Sequence, residues 1–575
     1  MAEKTLSKTE YTAKNAIWSI VGKLIGDISG FISRSFFIKY LGLYYLGLNS
    51  LFASVLSVLS LAELGIGSAI TFSLYKPLSE GDTEKIKSLM KYYKRAYTGI
   101  ALAVTALGLI IMPFLRYIVS DWESYASSAS GYNPYTVYLI ILATTATSYL
   151  LSYKRTLIIA DQKEYVVKNF TTLFSIFSYA AQIVLLITTK NFYIYLCVAL
   201  ISSNLSNIFL NVIINGKYPY IKEKNVEKLD DGERKKISKN VRALIVDKLG
   251  TTFVYQTDNI ITSAIINTVI VGVVSNYNTV ITTIAGFVNI ITGAAQASLG
   301  HFIANADAER RYELFKTYRF IHFWQSSFAT ICIFALIQPF MKIWVVEDAY
   351  MLDMLSLFAF AVANYINLER GPILYFKVAG GIFDADKWLA FVMGIVNVGV
   401  SIGLGLWLGV AGIYFGTIVT GMLATIVRPI IVYKRLFKRS SKEYFVMWCI
   451  YAGFTVSAGV GAYYLIKCFS QLVGYVPNRS ASSIFVFLAM CVVMAVLVNL
   501  LLFLVFGKTK EFKSAWRTVK NVFNSYKKRF GKNNQTDKVL TETNKTEDGN
   551  SESNGKNENI ADSESERLIV EDKTS

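Results

Sequence analysis

The chain has 575 residues, of which 53% are hydrophobic and only 17% are charged, with a mean hydropathy of +0.41. This composition excludes an ordinary soluble globular protein. The formal net charge of +18 does not indicate nucleic-acid binding, because the basic residues lie between apolar runs and no soluble module is long enough to hold such a fold.

Apolar runs of the ~20 residues needed to cross ~30 Å of hydrocarbon recur along almost the whole chain. We predict an all-α polytopic membrane protein with about 14 transmembrane helices, built as two pseudo-symmetric six-helix lobes plus two extra C-terminal helices. The predicted spans are 15–38, 47–73, 97–119, 135–153, 169–189, 192–215, 243–266, 270–299, 320–340, 354–376, 388–408, 411–433, 445–468 and 483–506.

The links on one side of these spans carry roughly forty Lys and Arg, against about five on the other side, which places both termini in the cytoplasm. The predicted organisation is a cytoplasmic N-terminus (1–14), an N-lobe of spans 1–6 (15–216), a basic cytoplasmic linker (217–242), a C-lobe of spans 7–12 (243–433), spans 13 and 14 (434–506), a basic interfacial helix (507–530) and a disordered acidic cytoplasmic tail (531–575).

The first span carries three ionisable residues in "KNAIWSIVGKLIGDISGFISRSFFI", namely Lys23, Asp27 and Arg34. At 100° per residue, Asp27 lies about 40° and Arg34 about 20° round the helix from Lys23. A charge at mid-membrane costs roughly 3 kcal/mol, so this face must meet protein or water rather than lipid. Lys23 and Asp27, four residues apart, can also partly neutralise each other.

After the second span, "SEGDTEKIKSLMKYYKRAY" predicts an amphipathic helix lying on the membrane surface. Asp82 can cap its start, and Ile86, Leu89, Met90 and Tyr93 would form its apolar face.

An internal repeat links the two lobes. "KNAIWSIVGKLIG" near the start resembles "KNVRALIVDKLG" further on, so Lys23 matches Lys248 at an offset of 248 − 23 = 225. The same offset carries Gly47 onto Gly272. Each repeat holds six spans, an even number, so the lobes are parallel repeats about an axis along the membrane normal. Such architectures bind substrate between the lobes and work by alternating access.

The matching face of the seventh span carries Lys248 and Asn259, with Asp258 adjacent. Cations outnumber anions among the ionisable residues of the spans, so we predict a cation-lined cavity for an anionic, phosphate-bearing group. Structural ion pairing is the alternative. The predicted cavity residues are Arg34, Lys248, Lys23, Asp27, Asn259, Asp258, Arg370 and Arg428, with Glu63 and Glu369 as candidate coupling or structural carboxylates.

Signals of catalysis are absent from the sequence, and we predict a protein that is not an enzyme and has no cofactor. Neither histidine accompanies a nucleophile or a metal-ligand spacing, and the five cysteines lie inside spans at spacings unsuited to zinc or disulfides. No Walker-type loop is present, so transport would draw on an ion gradient, the membrane potential or the substrate gradient.

Several stretches resemble Gram-positive polysaccharide flippases of the multidrug/oligosaccharidyl-lipid/polysaccharide exporter superfamily. The most specific is "LGLNSLFASVLSVLSLAELGIGSAITFSLYKPLSEGDTEKIKSLMKYYKRAY", followed by "YKRTLIIADQKEY", "FKVAGGIFDADKWLAFVMGIVNVGVSI" and "VRPIIVYKRLFKRSSKEYF". The resemblance implies a flippase in the bacterial plasma membrane that moves an undecaprenyl-diphosphate-linked oligosaccharide repeat unit to the outer leaflet for cell-surface polysaccharide synthesis. It also implies that Lys23, Arg34 and Lys248 line the cavity.

Three alternatives stay open at this point. A multidrug or cation antiporter of the same superfamily would need carboxylates as the dominant cavity charge. A membrane glycosyltransferase or polymerase would carry a large outer loop, whereas the longest here, "SDWESYASSASGYNP", is short. A non-transporting scaffold would act through its tail. The expected partners are the lipid-linked oligosaccharide, membrane lipids and, in the pathway, a polymerase and glycosyltransferases, with no nucleic acid.

Overall fold

The structure is a computed structural model. It describes residues 8–123, 132–223, 226–227, 229–293, 299, 302–303, 306–345, 351–382, 385–386 and 388–520. Within these ranges only the backbone is described at 8–17, 61–66, 68–70, 236, 239–240, 242–249, 251, 255 and 290–293. The predicted acidic tail, and the interfacial helix beyond residue 520, lie outside the described residues.

The described part of the chain is helical and contains no strand. Its α-helices are α1 (Lys8–Leu59), α2 (Leu61–Glu80), α3 (Thr83–Ile111), α4 (Leu115–Ile118), α5 (Pro134–Ser152), α6 (Arg155–Ala160), α7 (Glu164–Thr189), α8 (Phe192–Lys217), α9 (Asp231–Ile265), α10 (Thr268–Gly293), α11 (Ala308–Trp344), α12 (Met354–Glu369), α13 (Gly371–Ala379), α14 (Leu389–Leu408), α15 (Val410–Val432), α16 (Lys442–Val473) and α17 (Ala481–Phe506).

Within the described residues, eleven helices are long and apolar enough to cross a membrane. Each of the fourteen predicted spans falls on one or two helices, which confirms the all-α polytopic fold. The first two spans share α1, which breaks at Gly42, where φ is +85°, a conformation that favours glycine. The second span continues past Ser60 into α2, and the tenth is divided at Arg370 between α12 and α13.

The amphipathic segment after the second span is not a separate surface helix, and that prediction is wrong. Asp82 does cap a helix start, accepting a hydrogen bond from the Lys85 backbone N–H at 2.9 Å. The helix then runs without interruption to Ile111, and its apolar face, including Ile86 and Tyr93, is buried. No proline or glycine separates the amphipathic turns from the start of the third span, so the helix propagates through both.

The lobes meet through the first two helices of each repeat. In this interface α1 packs on α9 and α10, and α2 packs on α9. Within the lobes, α1 packs on α7 and α9 packs on α14. The two extra helices, α16 and α17, both pack on α11 of the C-lobe. The rings of Phe323 and Tyr451 stack there at 3.7 Å between centroids, and Trp324 donates a hydrogen bond to Asn499.

The described residues from Thr509 onward form a second compact unit, separate from the unit that ends at Lys508. Residues 510–520 are helical. The rings of Phe512 and Trp516 are stacked at 6.2 Å, and Trp516 is 63% exposed. An exposed aromatic residue on a basic helix is what an interfacial helix requires, and that role stays a prediction.

Candidate functional site between the lobes

The two lobes touch at positions that the repeat makes equivalent. A Cβ atom at Gly47 would lie 1.9 Å from the carbonyl oxygen of Thr268, and one at Gly272 would lie 2.2 Å from that of Leu43. Because 268 − 43 and 272 − 47 both equal 225, the repeat offset relates each contact to the other. Reciprocal contacts of this kind define a two-fold interface. A pseudo-two-fold axis therefore passes between these backbones, where only glycine fits.

One pair of equivalent side chains meets on the axis itself. The hydroxyls of Ser50 and Ser275 are hydrogen-bonded at 2.8 Å, and 275 − 50 is again 225. A residue can contact its own equivalent only at the symmetry axis. The serine pair thus lies at the centre of the interface between the lobes.

Arg34 crosses the interface from α1 to α10. Its Nε donates to Oδ1 of Asn276 at 2.6 Å, and its Nη2 donates to Oγ of Ser275 at 2.6 Å. Both acceptors are neutral, and among the described side chains no carboxylate forms an ion pair with Arg34. Among the described side chains, the positive charge of Arg34 is therefore hydrogen-bonded but meets no carboxylate.

Asn259 is the repeat equivalent of Arg34, since 259 − 34 is 225. Its Nδ2 donates to Oγ of Ser54 at 2.9 Å. The first span of each lobe thus bonds to the second span of the other lobe, through Arg34 in one direction and Asn259 in the opposite direction. The predicted site residues Arg34 and Asn259 are brought together at one interface.

Lys23 and Asp27 form the expected ion pair, with Nζ and Oδ2 2.8 Å apart. Their side chains remain 24% and 27% exposed. Lys23 also lies against α10: its Nζ is 5.5 Å from the centroid of the Phe287 ring, and a Cβ at Gly286 would be 2.3 Å from its Cε. The missing side chain at Gly286 provides the space that the lysine occupies between the lobes.

Asp258 turns away from the interface into the C-lobe. Its Oδ2 accepts a hydrogen bond from Thr417 at 2.9 Å, whereas its buried Oδ1 accepts none from the described residues. Asn397 joins the cluster through Thr417, at 3.4 Å, and Thr257, at 3.2 Å. This carboxylate belongs to a polar network of α9, α14 and α15.

Three other predicted residues face partners within the C-lobe, two of them through hydrogen bonds. Arg428 donates to Asp386 at 3.0 Å, and Lys377 pairs with the same carboxylate at 2.5 Å. Arg370 donates to Asn367 at 2.7 Å. Glu369 lies 3.9 Å from Nε of Arg319.

Whether any of these residues contacts a substrate stays a prediction, as it does for every predicted cavity residue. The side chains of Lys248 and Glu63 lie outside the described residues.

Sequence reasoning missed several residues of the interface. Asp121, in the link after the third span, accepts a hydrogen bond from the backbone N–H of Thr268 at 3.0 Å, which caps the start of α10. Trp344 of α11 donates to Ser35 of α1 at 2.7 Å. Applying the repeat offset to Ser50 would have indicated Ser275, but no pattern in the sequence indicates Asp121 or Trp344.

Outside the spans, each lobe has an ion pair that holds a link segment to its third helix. In the N-lobe, Lys85 at the start of α3 pairs with Glu233 at the start of α9. In the C-lobe, Glu309 at the start of α11 pairs with Arg439, in the link before α16. The hydrogen bond with Glu309 raises the pKa of Arg439 above its ordinary value.

Solved structures with this fold are membrane transporters. One is an inward-facing multidrug resistance MATE family transporter of the MOP superfamily, which is 14% identical with a TM-score of 0.54, over 73% of this chain and 98% of the other. Another is the lipid II flippase MurJ in an inward closed conformation, 14% identical with a TM-score of 0.53, over 80% of this chain and 99% of the other. No protein-family model matches the sequence, and no curated protein does so either.

At this identity the likeness to the two transporters shows the fold and not the substrate. The chain thus shares the fold of these transporters, and eleven of its described helices are long and apolar enough to cross a membrane. Neither neighbour is an enzyme.

Proposed function

We propose that this protein flips an undecaprenyl-diphosphate-linked oligosaccharide repeat unit from the inner to the outer leaflet of a bacterial plasma membrane, for cell-surface polysaccharide synthesis. The lobes would alternate in opening to the two sides, with both termini in the cytoplasm. The fold supports a transporter, and the charge between the lobes supports an anionic substrate.

The observation that carries the proposal is the bonding of Arg34. A buried cation is costly in a membrane unless it is paired, and its two acceptors, Ser275 and Asn276, are neutral. A diphosphate offers oxygens in the geometry that a guanidinium binds through two charge-assisted hydrogen bonds. A substrate headgroup would thus supply the counter-charge that Arg34 does not receive from the described side chains.

Lys23 lies on the same face of α1 as Arg34, about three helical turns closer to the N-terminus. Its partner Asp27 leaves it a quarter exposed, so Lys23 can exchange the carboxylate for an incoming phosphate. The polyprenyl tail would stay in lipid between helices while the diphosphate and sugar occupy a water-containing space between the lobes. We assign the corresponding position in the C-lobe to Lys248 by the repeat.

Export of a cationic drug by antiport is the second candidate, and Asp258 favours it. This carboxylate has one oxygen without a hydrogen bond from the described residues, which suits a cation. Asp258 bonds within the C-lobe, however, whereas Arg34 bonds across the interface. The charge that meets the other lobe is positive, so we favour the anionic substrate.

The test uses purified full-length protein in liposomes that contain a fluorescently labelled undecaprenyl-diphosphate-linked oligosaccharide. Movement between leaflets is followed by quenching from outside. We expect wild type to move the lipid, Arg34→Gln to lose most of the rate, and Arg310→Gln to behave as wild type, because Arg310 is 79% exposed in the first turn of α11. Transport of a cationic dye by wild type, abolished by Asp258→Asn, with no lipid movement, would establish the antiporter instead.

A further inference from the structure

A second polar cluster lies inside the C-lobe, at the break between α12 and α13. The chain leaves α12 at Glu369, and α13 starts at Gly371 with Pro372 in its first turn. The Glu369 side chain is 1% exposed. Neither of its carboxylate oxygens accepts a hydrogen bond from the described residues.

Arg319 of α11 is the nearest cation, but it is held elsewhere. Its Nε is 3.9 Å from Oε1 of Glu369, which is beyond hydrogen-bond distance. Its Nη2 donates to the carbonyl oxygen of Tyr444 at 3.0 Å, and its guanidinium lies 3.9 Å from the centroid of the Tyr444 ring. Arg319 therefore has its own carbonyl acceptor and a cation–π contact, and leaves the carboxylate without a hydrogen bond.

A negative charge on Glu369 is costly in this environment. A buried carboxylate without hydrogen bonds from the described residues lacks the solvation that water provides, whereas the protonated acid is neutral. The surroundings therefore favour the acid in this conformation.

Other ionisable groups face the cluster from each helix that packs around it. His322 of α11 binds Ser326 through Nδ1 at 3.1 Å, and its Nε2 has no described partner. Among the described residues, the ionisable neighbours of this cluster include Arg319 and His322 on α11, Tyr365 on α12, Arg370 at the break, Tyr433 after α15, and Tyr444 and Tyr451 on α16.

We propose that Glu369 is a proton-binding site of the C-lobe, with Arg319 as the counter-charge that stabilises it after the proton leaves. On binding, one carboxylate oxygen forms an O–H bond with a proton from water. On release the proton returns to water, and Arg319 moves into hydrogen-bond distance of the carboxylate. The inference does not depend on which substrate the lobes carry.

The experiment is an infrared pH titration of the purified full-length protein in lipid nanodiscs, following the stretching band of protonated carboxyl groups. We expect one titrating band in wild type to be lost in Glu369→Gln and kept in Glu313→Gln. Glu313 is the matched control, because it lies on α11 and is 60% exposed. An identical set of bands in wild type and Glu369→Gln would overturn the proposal.

Thermal unfolding of the same variants provides an independent measurement. Glutamine has the shape of a protonated glutamic acid, so Glu369→Gln should keep the wild-type melting temperature in acidic buffer. If Glu369 were always ionised, the glutamine would leave Arg319 without its counter-charge and lower the melting temperature at every pH, which contradicts the proposal. Glu369→Asp keeps an acid at the site and should retain a titrating band.

Discussion

The equivalent dipeptides Ser33-Arg34 of the N-lobe and Asp258-Asn259 of the C-lobe lie at matching places on matching helices and carry opposite charge. Arg34 and Asn259 each bond to the opposite lobe. Asp258 bonds inward to Thr417, whereas Ser33 is buried and uncharged. The scaffold is thus symmetric at these positions and its charge is not, because the cation that reaches across the interface here comes from the N-lobe.

The two repeats carry identical residues at the positions where their backbones approach each other. Gly47 and Gly272 are both glycine, and Ser50 and Ser275 are both serine. A two-fold contact imposes the same steric requirement on both copies, because each glycine faces the other lobe's backbone. No such requirement applies to charge, which explains why Arg34 and Asn259 differ.

The largest effect is expected where the symmetric contact is tightest. Gly47→Ala and Gly272→Ala would each place a Cβ about 2 Å from a backbone oxygen of the other lobe, and each should reduce the free energy of unfolding by about 3 kcal/mol. Gly26→Ala is the control, since no atom lies within 4 Å of its Cβ position, and it should be neutral or stabilising by up to ~1 kcal/mol. Thermal unfolding in detergent measures all three. Clearly unequal losses at Gly47 and Gly272 would contradict the axis.

Exchanging the charge between the lobes sharpens the comparison. Arg34→Asn makes the two lobes alike and should slow lipid flipping about 30-fold, because a hydrogen bond to a charged group contributes about 2 kcal/mol. Adding Asn259→Arg returns a cation to the interface from the other lobe and should recover part of the rate. The liposome assay measures both, with protein insertion as the control. A double variant slower than Arg34→Asn would show that the N-lobe position itself is required.

The two serines on the axis should differ in effect, although they are equivalent by sequence. Ser275→Ala removes the bonds to both Ser50 and Arg34 and should destabilise the protein by about 1.5 kcal/mol. Ser50→Ala removes only one of them and should destabilise it by about 1 kcal/mol. Unfolding of the two single variants and of the double variant separates the contributions. Equal effects would mean that the bond to Arg34 contributes nothing to stability.

The smallest effect is expected at the exposed ion pairs on the links. Lys85→Met removes the pair with Glu233 and should reduce stability by about 0.5 kcal/mol in low salt and less in high salt. Arg439→Met, in the C-lobe, should act in the same direction. Because the pKa of Arg439 is raised, its contribution is fully present below the ordinary pKa of an arginine and is lost as the pH rises through the raised value. Unfolding at two salt concentrations is the measurement, and a salt-independent loss would contradict a surface pair.

The spans were predictable because a run of apolar residues specifies a membrane helix locally. The ion pair of Lys23 with Asp27 was equally predictable, because residues four positions apart on one helix have neighbouring side chains. The surface helix after the second span was mispredicted, because amphipathicity does not say where a helix ends. Arg319, Asp386 and Asp121 escaped notice because each is defined by a partner far away in the chain.

The sequence by itself determined the helices, the repeat and the face shared by Lys23, Asp27 and Arg34, because helical periodicity and hydrophobicity depend on neighbouring residues. Only the tertiary structure decided that Arg34 bonds to Ser275 and Asn276, that Asp258 turns into its own lobe, and that the glycines lie on an axis. These contacts join residues more than 150 positions apart, and they form only when packed helices bring distant side chains within hydrogen-bond distance.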